Sequence, residues 1–167
     1  MEQPNWLIIP IAAIIPLLIS FIWFHPNVLG NKLAQVTGRP LSEINPKKSV
    51  GQLLLIYFLS ILLSYIMTLV SVHQVGIFQL FFMEPSFAEG NSEFNNVVND
   101  FMAKYGGRHR SFGHGMLHGA EVSFFLGLSF FGTSAILQGK PFKQVWIPLG
   151  FWVVCCSLVA GVVCAFF

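Results

Sequence analysis

The chain has 167 residues, of which 54% are hydrophobic and 10% are charged, and its formal net charge is +2. Soluble domains average roughly 25% charged residues, so this composition excludes an ordinary soluble globule and predicts a membrane protein. The nine lysines and arginines are dispersed along the chain and do not alternate with aromatic residues, so nothing supports nucleic-acid binding.

Four apolar runs are long enough to cross a bilayer, because a spanning helix needs about 17–25 residues. They cover residues 6–24, 50–72, 115–137 and 145–167. Each run is apolar on nearly every side, whereas the helices of a soluble bundle carry a narrower apolar stripe. The predicted fold is therefore an all-α membrane protein with four transmembrane helices in a single domain.

The first run contains Pro10 and Pro16. Proline within a helix removes a backbone hydrogen bond, so we expect a kink that neighbouring helices stabilise. The second run carries a line of hydroxyl side chains spaced three and four residues apart. These residues, here called the polar seam, are Tyr57, Ser60, Ser64, Thr68 and Ser71. The seam predicts helix packing, with a pore or a substrate path as the alternative.

The loop between the second and third runs contains a helical pattern of its own. Apolar residues recur three or four positions apart, and the glycine pair at positions 106 and 107 ends the pattern. The residues of this face are Phe94, Val97, Val98, Phe101, Met102 and Tyr105. The pattern predicts a short amphipathic helix over residues 92–105, which would lie in the headgroups, cover the end of the bundle or bind a partner.

The third run opens with a group of ionisable side chains. His114 and His118 are four residues apart and Glu121 follows three later, so at about 100° per residue they share one helix face. Imidazole suits Zn, Cu, Fe and Ni, and two such histidines can chelate one ion. His73 would reach the same depth if the second and third helices are antiparallel neighbours. These four residues are the candidate metal ligands, and His109 is a further candidate.

His73 follows the polar seam directly. On an ideal helix its side chain points roughly opposite the seam, so we expect His73 and the seam to face different neighbours. Small residues spaced by four in the third and fourth runs predict close contacts between helices, within the bundle or between subunits. These residues are Gly115, Gly119, Ser157, Gly161 and Ala165.

The basic residues are distributed unevenly between the two sides of the predicted bundle. Six lie on one side and three on the other, and by the positive-inside rule the side with six is cytoplasmic. This predicts a multi-pass protein of the bacterial inner membrane with both termini outside. The six are Lys32, Arg39, Lys47, Lys48, Lys140 and Lys143, and the three are Lys104, Arg108 and Arg110.

Three motifs resemble a family of small bacterial four-helix membrane proteins that is catalogued only as a domain of unknown function and is common among Bacteroidetes. The first motif, Trp-Tyr-x-Pro-x-x-Phe-Gly-x-x-Trp, corresponds to residues 23–33, although Phe24, Leu29 and Leu33 depart from it. The second is a His-Gln pair, here His73-Gln74. The third, Arg-x-Phe-x-His-Gly-x-x-His-Gly, corresponds to residues 110–119 and is the most specific. The resemblance implies a four-helix membrane fold and no known reaction, substrate or cofactor.

The residues leave three functions open. We predict a non-catalytic accessory or partner-binding subunit of a larger membrane complex, in which the histidines and Glu121 make structural hydrogen bonds. The first alternative is a transition-metal or haem protein that uses His114 and His118. The second is a small transporter or proton relay formed by an oligomer. The expected partners are the lipid bilayer and either other membrane subunits or a second copy of the chain. The sequence shows no pair of nucleophile and base that would suggest an enzyme.

Overall fold

A computed structural model describes residues 4–81, 84–85 and 92–167. Within these ranges the chain forms helices joined by turns and contains no strand, which confirms the predicted all-α fold. The helices are α1 (Ile8–Ala12), α2 (Ile14–Trp23), α3 (Asn31–Thr37), α4 (Leu41–Ile44), α5 (Val50–Ser71), α6 (His73–Phe81), α7 (Ser92–Tyr105), α8 (Phe112–Leu137) and α9 (Trp146–Phe166). A π-helical turn covers Pro26–Gly30, and a 3₁₀ turn covers Phe142–Gln144.

Three helical segments of the described chain are long and apolar enough to cross a membrane. They are α5, α8 and the segment Phe142–Phe166, which contains α9. The first predicted run passes the same test only when Ile8–Trp23 is joined to Pro26–Thr37, and these two segments are bent by 60°. The chain is therefore a multi-pass membrane protein with three such segments, or four if the bent pair crosses as one span.

The first run is divided into α1 and α2 at Ala13, where we expected one kinked helix. Pro16 has no N–H to donate to the Ala12 carbonyl, and this missing bond accounts for the interruption. The hydroxyl of Tyr57 on α5 donates to the Pro10 carbonyl at 3.0 Å. A neighbouring helix thus satisfies a carbonyl beside the break, as expected within a membrane.

α9 is the helix around which the others pack. About 56% of its apolar segment is buried, compared with 22% for α5 and 17% for α8. The main core therefore forms where α1 and α5 meet α9. Its buried residues are Ile8, Ile9, Ala12, Met67, Cys156, Val159, Ala160 and Val163.

The polar seam of α5 is buried from Ser60 onward, and its hydroxyls bond to their own helix. Ser64 donates to the Ser60 carbonyl at 2.9 Å, and Thr68 donates to the Ser64 carbonyl at 2.9 Å. Ser71 donates in the same way to Met67 at 2.7 Å. Because these hydroxyls find acceptors without water, the seam supports helix packing better than a water-filled path.

α8 and α9 approach closely at the glycines of α8. A Cβ atom on Gly115 would collide with the Ala160 carbonyl oxygen, and one on Gly119 would collide with that of Cys156. A Cβ on Gly161 of α9 would lie 2.8 Å from the Phe112 ring. Ser157 is also buried, whereas Ala165 is partly exposed. Direct contact between the two backbones thus fixes the position of α8 along the axis of α9.

The bundle has two distinct ends. At one end, here called the histidine end, the Asn5 N–H donates to the Phe167 carbonyl at 2.9 Å, and α6 and α7 lie nearby. At the opposite end, the Gln144 side chain donates to the Val36 carbonyl at 3.2 Å and joins α3 to the 3₁₀ turn. The six basic residues of the two connecting loops therefore share the second end.

α7 coincides with the predicted amphipathic helix over residues 92–105. Val98 is 5% exposed, whereas Val97 is 65% and Phe101 is 47% exposed, so the bundle covers only part of the apolar face. The side chain of Phe94, which belongs to the predicted face, lies outside the described residues.

Candidate metal centre

A break between α5 and α6 determines where His73 lies. α5 ends at Ser71, and Val72 has φ −99° and ψ 89°, outside the helical region. The Ser71 carbonyl accepts a hydrogen bond from the Cys164 thiol of α9 at 3.4 Å. α6 then begins at His73, whose ring contacts His114 of α8. The end of the seam and His73 therefore meet different helices.

α8 begins three residues before the apolar run predicts, and this earlier start places His114 in its first turn. The Ser111 hydroxyl accepts a hydrogen bond from the His114 N–H at 3.3 Å and caps the helix. His118 follows one turn later on the same face. Both imidazoles therefore project from a capped helix that α9 holds in place.

Three histidines converge at this end of the bundle. The Nε2 atom of His114 lies 3.0 Å from Nε2 of His73 and 3.1 Å from Nε2 of His118. One ring nitrogen from each of the three lies within 4.8 Å of the other two. His114 and His118 are partly buried, and His73 is the most exposed.

Hydrogen bonding alone cannot account for this convergence. A ring nitrogen carries either one proton or one lone pair in the ring plane, so His114 Nε2 can make only one good hydrogen bond. Nitrogen atoms that bind one tetrahedral ion at metal–nitrogen distances of 2.0–2.1 Å are about 3.3–3.4 Å from one another. The two observed separations are a few tenths of an ångström shorter than that value. The two separations from His114 are therefore close to those between ligands of one ion, and the third pair of nitrogens lies within 4.8 Å.

His109 provides a fourth imidazole beside the cluster. Its ring stacks on that of His114, with centroids 4.8 Å apart and an interplanar angle of 28°. Its backbone has φ 62°, in the left-handed region that few non-glycine residues adopt. Its carbonyl oxygen lies 3.3 Å from the Cys164 sulfur, so it shares the single thiol proton with the Ser71 carbonyl. His109 lies beside the three converging nitrogens but is not one of that group.

Glu121 does not join the three histidines. It shares their helix face, but it lies one turn beyond His118, and its side chain is exposed. α6 begins at His73, and that ring contacts His114 and stands 4.9 Å from the His118 ring, measured between centroids. Of the four predicted ligands, the structure therefore brings together His114 and His118 of α8 and His73 of α6.

The family of the chain follows from a comparison with known families. A family model described as "Protein of unknown function (DUF1761)" matches residues 7–164. The chain belongs to this family. The match covers all of the converging histidines and confirms the resemblance inferred from the motifs. No curated protein and no solved structure matches the chain.

The His-Gln pair of this DUF1761 protein has a structural role that the sequence did not reveal. The Gln74 amide donates to the Gly106 carbonyl at 2.7 Å and to the Arg108 carbonyl at 3.0 Å. These bonds tie α6 to the turn that follows α7. Since His109 comes next in the chain, Gln74 holds the fourth imidazole beside the cluster.

Gln74→Ala is expected to loosen this turn in the DUF1761 protein. Loss of both amide bonds, at about 1 kcal/mol each, makes local opening easier, so amide hydrogen exchange at residues 106–109 should rise by roughly 30-fold. The matched control is Gln79→Ala, because Gln79 is an exposed residue of the same helix. Equal exchange in the two variants would contradict the role given to Gln74.

The charge state of His73 in this DUF1761 protein favours metal binding. Partial burial lowers the pKa of His73 below its usual value of 6.5, and the positive charges of His118 and His109 lower it further. A lowered pKa keeps the ring neutral and able to coordinate a metal in mildly acidic solution. The associated contribution to stability is complete above pH 6.5 and declines as the pH falls below that value, because the unfolded chain then binds more protons.

Proposed function

We propose that this multi-pass membrane protein binds a divalent transition-metal ion through His73, His114 and His118. The observation that carries the proposal is the approach of two ring nitrogens to within 3.1 Å of a third. Three imidazoles suit Zn²⁺ and Cu²⁺. Three protein ligands leave one position on such an ion for water or an exchangeable ligand.

A bare ion fits these histidines better than haem. Two imidazole nitrogens on opposite sides of one metal lie about 4 Å apart at bond lengths of 2.0–2.1 Å, and a porphyrin must fit between them. The Nε2 separations of 3.0 and 3.1 Å from His114 are too short for His114 to face either of the other two histidines across a porphyrin. An ion without a macrocycle needs no such gap between its ligands.

The proposed metal centre lies where an ion can enter from water. His73 is exposed, and the cluster sits at the end of the bundle and not at mid-depth. We assign this end to the outside of the bacterial inner membrane, because the six basic residues of the connecting loops share the opposite end. The ion would therefore come from the outer compartment.

A partner-binding role remains the second candidate function. It is favoured by apolar side chains outside the candidate spans, such as Leu80 at 79% and Val97 at 65% exposure. Transport has less support, because neither of the two cavities described at the histidine end is lined by Glu121. A metal-binding subunit of a larger assembly is compatible with both the cluster and these exposed residues.

Metal titration of the purified protein tests the proposal. We expect one equivalent of Zn²⁺ or Cu²⁺ per chain, measured by element analysis after gel filtration in mild detergent. Affinity should decline as the pH falls, because protons compete with the metal for the imidazoles, and the lowered pKa of His73 should move this decline to lower pH. The measurement is a chelator competition series over about pH 5 to 8.

Two results would count against the proposal. The first is a metal content well below one equivalent after loading, with the protein still helical by circular dichroism. The second is affinity that does not change over about pH 5 to 8, because protons must compete with the metal for imidazole ligands in this range. Nitrogen hyperfine structure in the spectrum of the Cu²⁺ form would supply independent support.

A further inference from the structure

A cleft of about 470 Å³ opens beside the three histidines, between α6, α7 and the turn after α7. The metal proposal uses only one residue of its wall, His73, and gives the other lining residues no function. Gln74 forms part of the same wall and ties the two helices together, so the cleft is a built feature of the histidine end.

One wall of the cleft carries the positive charge of Arg108. The imidazoles of His73 and His109 line the cleft as well, and none of the described residues that line it is a carboxylate. The Arg108 guanidinium stands 4.9 Å from the centroid of the Tyr105 ring, which also lines the cleft. Arginine stays protonated at every physiological pH and recognises phosphate through several N–H groups. This wall therefore suits an anion.

The other wall is apolar. It is lined by Ile77, Phe101 and Met102. Phe101 is 47% exposed although its ring is large, and it packs on Tyr105 with centroids 4.9 Å apart. A ligand that fills both walls must carry an apolar part next to its negative charge. A free inorganic anion would leave the apolar wall in water.

The depth of the cleft indicates where such a ligand comes from. α5 is a candidate span that ends at Ser71, and His73 of the cleft follows two residues later. The headgroup layer of a bilayer begins where a spanning helix ends. The amphipathic α7, which forms the other side of the cleft, is the type of helix that lies at this layer. Phospholipids therefore supply the required chemistry at this position.

We propose that the cleft binds an anionic phospholipid, with its phosphate on Arg108 and its glycerol and upper acyl chain against Phe101 and Met102. Charge complementarity selects an anionic over a zwitterionic headgroup. The lipid site is distinct from the three-histidine centre, although the two share His73. It gives α7 a function as one wall of a lipid site at the histidine end.

Native mass spectrometry of the full chain in detergent tests this proposal. Phosphatidylglycerol and phosphatidylcholine with the same acyl chains are added separately, and wild type is expected to prefer phosphatidylglycerol by roughly fivefold. Arg108→Gln should remove most of this preference. Lys104→Gln is the matched control, because its ammonium lies 5.2 Å from the same Tyr105 ring but Lys104 does not line the cleft. The control should retain the preference.

Several outcomes would overturn the lipid site. They are equal binding of the two lipids, equal losses in the two variants, or displacement of phosphatidylglycerol by inorganic phosphate alone. The last would identify a free anion as the ligand, and an unchanged preference in Arg108→Gln would show that the lipid binds outside the cleft. His73 is retained in both variants, so their metal content shows whether the fold and the cluster are intact. Lipid selectivity thus tests the lipid site, and metal content tests the three-histidine centre separately.

Discussion

His114→Ala is expected to abolish stoichiometric metal binding. Its Nε2 atom is the one that lies 3.0 Å from His73 and 3.1 Å from His118, so the substitution removes the central ligand. We expect the affinity for Zn²⁺ to fall by more than roughly 100-fold. Mutation of a residue that only hydrogen-bonds to a metal ligand already lowers metal affinity by about 10–100-fold. Chelator competition on the detergent-purified protein measures this change.

The control for this variant is another histidine of the same chain. His25 is exposed, and its Nδ1 atom accepts a hydrogen bond from the Asn27 N–H at 3.2 Å. It follows α2, outside the three-histidine group, so His25→Ala should keep full metal content. Unchanged affinity in His114→Ala would show that the metal binds elsewhere. Recovery of binding in His114→Ala on addition of free imidazole would show that the lost ligand is the ring itself.

Gly119→Ala is expected to cause a large loss of stability for the addition of a single methyl group to α8. The new Cβ would collide with the Cys156 carbonyl oxygen, and a backbone atom of α9 cannot move aside as a flexible side chain can. We expect a cost of about 1–3 kcal/mol in the free energy of unfolding, the usual range for overpacking, or more because the contact is with backbone. Thermal unfolding in detergent, followed by circular dichroism, measures it.

Gly113→Ala is the matched control for this experiment. It adds the same methyl group near the start of the same helix, where nothing lies within 4 Å of the new Cβ. Alanine favours helix over glycine by about 1 kcal/mol, so this variant should be neutral or slightly more stable. Equal losses of stability in the two variants would show that glycine is needed for the backbone conformation of α8 and not for its close contact with α9. Gly119→Ala should also weaken metal binding. α8 carries two of the three histidines, so a shift of α8 away from α9 would change their distance from His73 on α6.

The spans and the amphipathic helix could be predicted because both are properties of a local stretch of sequence. Apolar length is enough to identify α5, α8 and α9, and a period of three to four residues identifies α7. Helix ends were predicted less well. α8 begins at Phe112 and not at Gly115, because the Ser111 cap sets its start and hydropathy does not register a cap. The missing N–H of Pro16 turned an expected kink into the break at Ala13.

The sequence by itself determined that the chain is a helical membrane protein and that His114 and His118 share one face, since four residues make about one helical turn. Only the tertiary structure decided the rest of the centre. His73 is 41 residues from His114 in the chain, and their contact depends on the break at Val72 and on the depth at which the glycines of α8 seat it against α9. Glu121 lies outside the group, and the bonds of Gln74 to the turn after α7 hold His109 beside it. Such contacts arise from packing between distant segments, which no local pattern of residues encodes.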